Sequence, residues 1–209
     1  MHGMCLATSS GYNEPMPGED AMKRADSGVK LTYDDFLLFP DDGKRHELID
    51  GEHYVTPSPN TRHQRISSNL HWMLRSYLEG HPIGEVFYAP FDVVFSDFDV
   101  VEPDLLYISR ERAAEVLTSK HVKGTPDLVI EIGSPGTRKR DETIKRRLYE
   151  SSGVLEYWVV DPEVDIIRVN RRSGDSFGRA HEISLEAGDV LTTPLLPGCE
   201  LPLAGVFKE

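Results

Sequence analysis

The segment TPDLVIEIGSPGT, residues 125–137, constrains the fold of this chain more than any other stretch. Turn residues flank the five-residue run Leu128–Ile132, and this pattern predicts a strand that is buried on both faces. The run contains one acid, Glu131. Burying a carboxylate costs several kcal/mol unless a cation or hydrogen bonds compensate it. We therefore expect the strand to bring Glu131 to other polar groups.

The composition predicts one globular domain. A chain of 209 residues can bury a substantial core, and 39% hydrophobic and 28% charged residues are typical of globular proteins. Residues 1–28 are polar and lack the basic start and apolar centre of a secretory signal. We expect a flexible tail over residues 1–28 and a single domain over residues 29–209. No apolar run approaches the length that spans a membrane.

The cysteines and the net charge exclude some classes of protein. Cys5 and Cys199 lie near opposite ends of the chain, which argues against a structural disulfide and favours a cytoplasmic location. The net charge of −12 argues against a protein that coats nucleic acid through charge alone, because such binding neutralises phosphates with Lys and Arg. An enzyme that gathers acids around a divalent metal ion stays open.

The order of predicted elements is typical of an α/β fold with a mixed central sheet flanked by helices. A short helix is expected after Thr32, and the pair Asp50 and Gly51 predicts a hairpin. Apolar residues at helical spacing predict a long helix over residues 61–79. Further strands are predicted within residues 84–95, 101–109, 126–134, 154–161, 165–172 and 181–185, and further helices within residues 110–120 and 137–153, the latter with Thr137 as N-cap.

A metal site around Glu131 needs a second acid. Asp127 lies on the same face of the strand, but four residues of extended chain separate the two by roughly 13 Å. Asp104 begins the preceding predicted strand and is the better partner if the two strands are neighbours. Each acid also has an ordinary interpretation, because Glu131 would suit a buried ion pair and Asp104 a solvated strand end.

The helix that follows this strand supplies a candidate cation. Counting from Asp141, one helical face carries four more residues: Ile144, Lys145, Leu148 and Tyr149. The apolar members predict that this face packs on the sheet and carries Asp141 and Lys145 inward. The alternative is that Lys145 extends from the edge of the face into solvent.

Two further residues give weaker signals. Glu47 lies beside the predicted hairpin, where a single Glu is usually solvated. His63 lies on the inward face of the long helix near its start, where a histidine more often caps the helix or forms hydrogen bonds than takes part in catalysis. The sequence contains no HExxH zinc motif, P-loop, GxGxxG motif after a strand or GxSxG nucleophile motif.

Three segments of the sequence closely resemble the Uma family of endonucleases, which is placed in the PD-(D/E)XK, or restriction-endonuclease-like, superfamily. These segments are residues 33–70, VEPDLLYIS at 101–109 and PDLVIEIGSPGTRKRDETIKRRLYESSGVLEYWVVDP at 126–162, of which the last is the most specific. The resemblance runs from about Leu31 to about Asp161. It implies a restriction-endonuclease-like core, to which an N-terminal hairpin and C-terminal strands are added.

The resemblance also assigns roles to residues of this chain. It implies that Asp104 and Glu131 are the two acids of the motif, whereas the position of the motif lysine falls on Gly133. Lys145 then replaces that lysine, and Glu47 corresponds to an upstream acid that some members use. The acids and a backbone carbonyl such as that of Ile132 would hold Mg²⁺ or Mn²⁺. Family positions that support the site or face the substrate match His63, Gln64, Asp141 and Tyr149.

The function implied by the resemblance is metal-dependent hydrolysis of phosphodiester bonds in nucleic acid, with DNA as the expected substrate. Arg138, Lys139 and Arg140 are expected to contact backbone phosphates. Two other functions stay open: a non-enzymatic interaction module with a relic site, and a metal-dependent hydrolase of a smaller phosphate ester. The C-terminal strands would also suit a homodimer.

Overall fold

The computed structural model describes residues 28–56, 58–134 and 140–209. The described helices are α1 Tyr33–Phe36, α2 Thr61–Gly80, α3 Arg110–Val116, α4 Arg146–Ser151 and α5 Leu203–Val206. The described strands are β1 Arg45–Ile49, β2 Glu52–Thr56, β3 Gly84–Tyr88, β4 Val93–Ser96, β5 Asp99–Val101, β6 Leu105–Ser109, β7 Val122–Lys123, β8 Leu128–Ile132, β9 Glu156–Asp161, β10 Ile166–Ser173, β11 Ser176–Phe177, β12 His181–Ser184, β13 Val190–Leu191 and β14 Leu201–Pro202. Residues 1–27 of the tail predicted over residues 1–28 lie outside the described residues, as does the predicted N-cap Thr137.

A seven-stranded mixed sheet forms the centre of the fold and confirms the predicted architecture. Its strands follow the order β11-β10-β9-β8-β6-β3, and β12 also pairs with β10. The pairing of β8 with β9 is parallel, whereas β6 pairs with β8 in antiparallel orientation. All five residues of β8 are buried, as its near-continuous apolar sequence predicts for a strand in the middle of a sheet covered on both faces.

The register of β6 against β8 brings the two predicted acids together. Leu105 pairs with Ile130, so Asp104, one residue before β6, lies beside Glu131. The prediction that these strands are neighbours is confirmed. Asp127 lies at the other end of β8, where its carboxylate accepts a hydrogen bond from the Ser109 amide at 2.7 Å. Its predicted separation from Glu131 is confirmed as well.

The two faces of β8 belong to two different hydrophobic clusters. Leu128, Ile130 and Ile132 pack into a cluster with the inward face of α2. Val129, on the other face, packs into a cluster that includes residues of α4 and of the second sheet. The alternation of side chains along an extended strand explains this division, and it directs Glu131 to the side that carries α4.

A five-stranded sheet of order β2-β1-β5-β4-β7 packs against this second cluster. The predicted hairpin joins β1 to β2, and its turn residues Asp50 and Gly51 both adopt positive φ, at 53° and 72°, as a two-residue type I′ connection requires. Two predicted strands are each divided. The segment 84–95 gives β3 and β4, and the segment 101–109 gives β5 and β6, which are separated at Pro103 because proline cannot donate to a ladder.

The helix predicted over residues 137–153 differs from a regular α-helix. In its described part, residues Asp141–Lys145 form a π-helical turn, and α4 follows directly. The inward face is as predicted, because Asp141, Lys145, Leu148 and Tyr149 are all buried. Wide turns of this kind often occur at functional sites. Within the described residues, no helix is both long and apolar enough to cross a membrane.

The substitution Leu74→Ala tests the packing of α2 on the central sheet. Leu74 is 1% exposed within the apolar cluster, and we expect its truncation to lower the free energy of unfolding by about 2–5 kcal/mol. Trp72→Ala is the matched control on the same helix, because Trp72 is 69% exposed and should cost about 1 kcal/mol or less. Urea denaturation followed by circular dichroism measures both, and equal costs would contradict the packing described.

Candidate active site

A cavity of about 240 Å³ lies at the carboxyl end of β8. Seven residues that were singled out from the sequence line it: His63, Asp104, Glu131, Ile132, Arg140, Asp141 and Lys145. These residues come from four parts of the chain, namely α2, the start of β6, β8 and the π-helical turn with the residue before it. The fold therefore brings together side chains that lie more than 80 residues apart in sequence.

Asp104 is held by three groups. Its Oδ1 accepts a hydrogen bond from Arg45 Nη1 at 2.7 Å, and its Oδ2 accepts one from the Ile132 amide at 2.8 Å. His63 Nε2 lies 3.0 Å from the same Oδ2. Burial opposes ionisation of Asp104, but the hydrogen bond and charge of His63, the charge of Arg45 and the Ile132 amide lower its pKa to about 2. Asp104 is therefore a carboxylate at neutral pH.

Glu131 has the opposite electrostatic setting. Its Oε1 accepts hydrogen bonds from Lys145 Nζ at 2.8 Å and from the Tyr149 hydroxyl at 2.6 Å. Burial raises the pKa of Glu131 to about 8; Lys145 opposes this rise, whereas the nearby acids Asp141, Asp104 and Glu47 add to it. The carboxyl group of Glu131 thus lies where negative charge is already in excess.

Glu47 shares Lys145 with Glu131. Lys145 Nζ lies 2.7 Å from Glu47 Oε1, which also accepts a hydrogen bond from the Glu102 amide at 3.1 Å. Burial opposes ionisation of Glu47, but the charges of Lys145 and Arg140 lower its pKa. Glu47 is 0% exposed and does not line the cavity. It lies behind Lys145 rather than beside Asp104 in the cavity wall.

The remaining predicted residues have different placements. Asp141 lines the cavity, and its backbone carbonyl accepts a hydrogen bond from the Tyr157 hydroxyl at 3.0 Å. Tyr149 is fully buried and contacts the cavity only through Glu131. Gln64 is exposed on α2 and does not line the cavity, so the structure does not bring it to the other candidates.

The sequence analysis missed Arg45. Its guanidinium bridges Asp104 and Glu102, with Arg45 Nε 2.6 Å from Glu102 Oε1. Arg45 and Glu47 are two residues apart in β1, so their side chains share one face of that strand. The spacing of Arg45 and Glu47 was the available signal for a shared role. Nothing local in the sequence, however, indicates that side chains of β1 contact Asp104 beside the central sheet.

Arg140 lies inside the candidate site. It was expected to contact backbone phosphates together with Arg138 and Lys139, and those two residues lie outside the described residues. Arg140 is 6% exposed, lines the cavity and donates from Nη2 to the Thr56 hydroxyl at 2.6 Å. It belongs to the same charged cluster as Lys145, since its Nη2 lies 3.4 Å from Glu47 Oε2.

Comparison with known families identifies the chain. A family model named Uma2 and described as a putative restriction endonuclease matches residues 33–204. The chain belongs to the Uma2 family. The resemblance inferred from sequence is thereby confirmed over most of the chain.

A solved structure of similar fold supports this assignment. It is the crystal structure of a protein from Anabaena variabilis, described as a putative nuclease belonging to DUF820, and it superposes with a TM-score of 0.72 at 21% sequence identity. The match covers 85% of the present Uma2 protein and 97% of the Anabaena variabilis chain. The restriction-endonuclease-like fold predicted from the sequence is confirmed. No significant match occurs among curated protein sequences.

The substitution Lys145→Met tests the charge balance of the site. It leaves Glu47 and Glu131 without their shared ammonium in a buried setting, so we expect the free energy of unfolding at neutral pH to fall by about 3–5 kcal/mol. Adding Glu47→Gln to this variant removes one of the uncompensated charges and should restore part of the loss. Lys208→Met, at an exposed position, is the control. Chemical denaturation measures all three, and a negligible cost for Lys145→Met would contradict the balance described.

Proposed function

We propose that this Uma2 protein is a metal-dependent endonuclease that hydrolyses phosphodiester bonds in nucleic acid, with DNA as the expected substrate. The observation that carries the proposal is the convergence of Asp104 and Glu131 from neighbouring strands on one cavity, with Lys145 bonded to Glu131. Family membership supports the same reaction class, because the Uma2 model is described as a putative restriction endonuclease.

The donor set suits a hard divalent cation that keeps part of its water shell. Among residues 28–56, 58–134 and 140–209, no three His, Cys, Asp or Glu side chains form a ready-made metal-binding group. Mg²⁺ is commonly held by only one or two carboxylates, with water and substrate oxygens in the other positions. Asp104, Glu131 and the Ile132 carbonyl would hold Mg²⁺ or Mn²⁺ in this way. The bound ion would polarise a phosphoryl oxygen and activate water.

The protein itself orients the acids of this site. Arg45 and the Ile132 amide fix the two oxygens of Asp104, and His63 adds a further hydrogen bond. Such partners hold a ligating carboxylate in one orientation and thereby reduce the reorganisation that binding requires. Tyr149 does the same for Glu131 from the side of α4.

Lys145 takes the role that Gly133 leaves open in the motif. Its ammonium lies between the carboxyl groups of Glu47 and Glu131 and therefore keeps its protons. A lysine in this state stabilises negative charge that develops on a phosphoryl group and orients the attacking water through its N–H donors. Glu47 holds Lys145 from behind the cavity wall, and we assign it this positioning role in place of direct contact with the reacting atoms.

Hydrolysis of a smaller phosphate ester is the second candidate. The cavity volume of about 240 Å³ favours it, because this volume lies below the roughly 300–1,000 Å³ range of small-molecule sites and therefore suits a small ligand. The same acids and the same lysine would serve that reaction. The two candidate functions differ in the substrate that enters the cavity. Cleavage assays with DNA and with a small phosphodiester distinguish them.

Nucleic-acid cleavage tests the proposed function. Wild-type protein with Mg²⁺ or Mn²⁺ should cut plasmid or single-stranded DNA, and Asp104→Asn and Glu131→Gln should each lower the rate by about 100-fold or more. These substitutions keep the shape of each side chain, and circular dichroism checks the fold. Arg75→Gln, an exposed position on α2, should cleave like wild type. DNA cleavage that persists in both site variants would contradict the assignment. A wild-type protein that does not cleave nucleic acid but cleaves a small phosphodiester would favour the second candidate.

Binding of Mn²⁺ separates the two roles proposed for the acids. Asp104→Asn should weaken Mn²⁺ affinity about tenfold or more, because it removes a charged ligand. Glu47→Gln should change the affinity much less, since Glu47 lies outside the cavity lining. Isothermal titration without substrate measures both variants. Equal weakening in the two variants would show that Glu47 contacts the ion.

A further inference from the structure

Three cationic side chains line the cavity, and they differ in how their donors are used. Arg45 is committed to Glu102 and Asp104, and Lys145 is committed to Glu47 and Glu131. Arg140 is the exception. Its Nε and Nη1 are buried and have no hydrogen-bond partner among the residues that the structure describes, and the residue as a whole is 6% exposed.

Three neighbouring side chains fix the position of the Arg140 guanidinium. Nη2 donates to the Thr56 hydroxyl at 2.6 Å and lies 3.4 Å from Glu47 Oε2. The guanidinium carbon also lies 5.5 Å from the centroid of the Tyr54 ring, within range of a cation–π interaction. A long side chain that is anchored in this way has already lost its conformational freedom, so a ligand binds without having to order it.

Buried donors without a partner destabilise a fold unless another group satisfies them. In Arg140 these donors belong to a permanently charged group beside an open volume, and a ligand with anionic oxygens supplies the acceptors that are missing. Phosphate suits a guanidinium particularly well, because planar N–H groups match the spacing of its oxygens. The Glu47 carboxylate lies beside Nη2 of Arg140, so Nε and Nη1 are left as donors for an incoming anion.

We propose that Arg140 is the phosphate-binding residue of the cavity and that its unpaired donors, first of all the Nε–H group, bind phosphate oxygens of the substrate. The inference rests on the proposed function in one respect, since it names the group of the substrate that the same cavity takes. Arg140 immediately precedes the π-helical turn that carries Asp141 and Lys145. A phosphate bound there lies in the same volume of about 240 Å³ as Asp104 and Glu131.

Phosphate binding in EDTA tests this assignment without metal and without turnover. The probes are inorganic phosphate and dimethyl phosphate, which represent a monoester-like and a diester anion. Both Arg140→Lys and Arg140→Gln should bind the favoured probe about 10- to 100-fold more weakly than wild type in isothermal titration. Arg140→Lys keeps a positive charge beside Glu47 and so guards against loss of fold. Arg75→Gln removes one exposed arginine elsewhere and should bind like wild type.

Nuclear magnetic resonance of the arginine side chains adds a local readout. The Nε–H signal that is missing from Arg140→Lys identifies Arg140, and phosphate should shift its proton downfield as the unpaired donor gains an acceptor. Binding of dimethyl phosphate assigns the subsite to diesters, and binding of inorganic phosphate alone assigns it to monoesters; both support the role of Arg140. Equal affinity of wild type and both variants for the probes, or an unmoved Nε–H signal at saturation, overturns it.

These results are distinguishable from a failure of the proposed function. If DNA cleavage is absent while phosphate binding depends on Arg140, the subsite stands and the endonuclease assignment falls. If cleavage depends on Asp104 and Glu131 while phosphate binding ignores Arg140, the endonuclease assignment stands and the subsite falls.

Discussion

The described fold depends on one buried ammonium shared between two carboxylates. Lys145 Nζ lies 2.7 Å from Glu47 of β1 and 2.8 Å from Glu131 of β8. These strands belong to different sheets, so the ion triad joins the two sheets through a side chain that arrives from a third element. Moving charged groups from water into the protein interior costs several kcal/mol for each group. The attraction between the ammonium and its acidic partners offsets this cost. The position of each member is therefore tied to the other two.

The same compensation divides the two motif acids into different chemical states. Asp104 contacts Arg45, His63 and a backbone amide, and its pKa falls to about 2. Glu131 shares Lys145 with Glu47, and burial raises its pKa to about 8. Neighbouring acids whose pKa values are driven apart are typical of sites that carry out acid–base or metal chemistry. In this protein the division follows from which strand faces Arg45 and which faces Lys145.

Local sequence patterns predicted the parts of the site that depend on one element. An acid in a buried strand identified Glu131, helical spacing identified the inward face of Lys145, and strand order suggested Asp104. They did not reveal Arg45, whose partners lie 57 and 59 residues away in sequence. A single chain carries no local record of such pairings. Gln64 is the opposite case. The family resemblance assigned it to a supporting or substrate-facing position, but its side chain is exposed to solvent in this structure.

The burial of Arg140 was not predicted either, although α-helical spacing places Arg140 one turn before Ile144 of the inward face. Nothing in the composition of Asp141–Lys145 distinguishes a π-helical turn from an α-helical one, since the two differ only in which carbonyl each amide selects.

The π-helical turn has a consequence for the geometry of the charged side chains. Arg140 and Lys145 are five residues apart, which in an α-helix rotates one side chain about 140° from the other. A turn whose hydrogen bonds join residues five apart brings such positions back into line. The added residue thus lets one short stretch of backbone aim a guanidinium and an ammonium into a single cavity. Deleting it would turn one of the two cations away, with no change in the chemistry of any side chain.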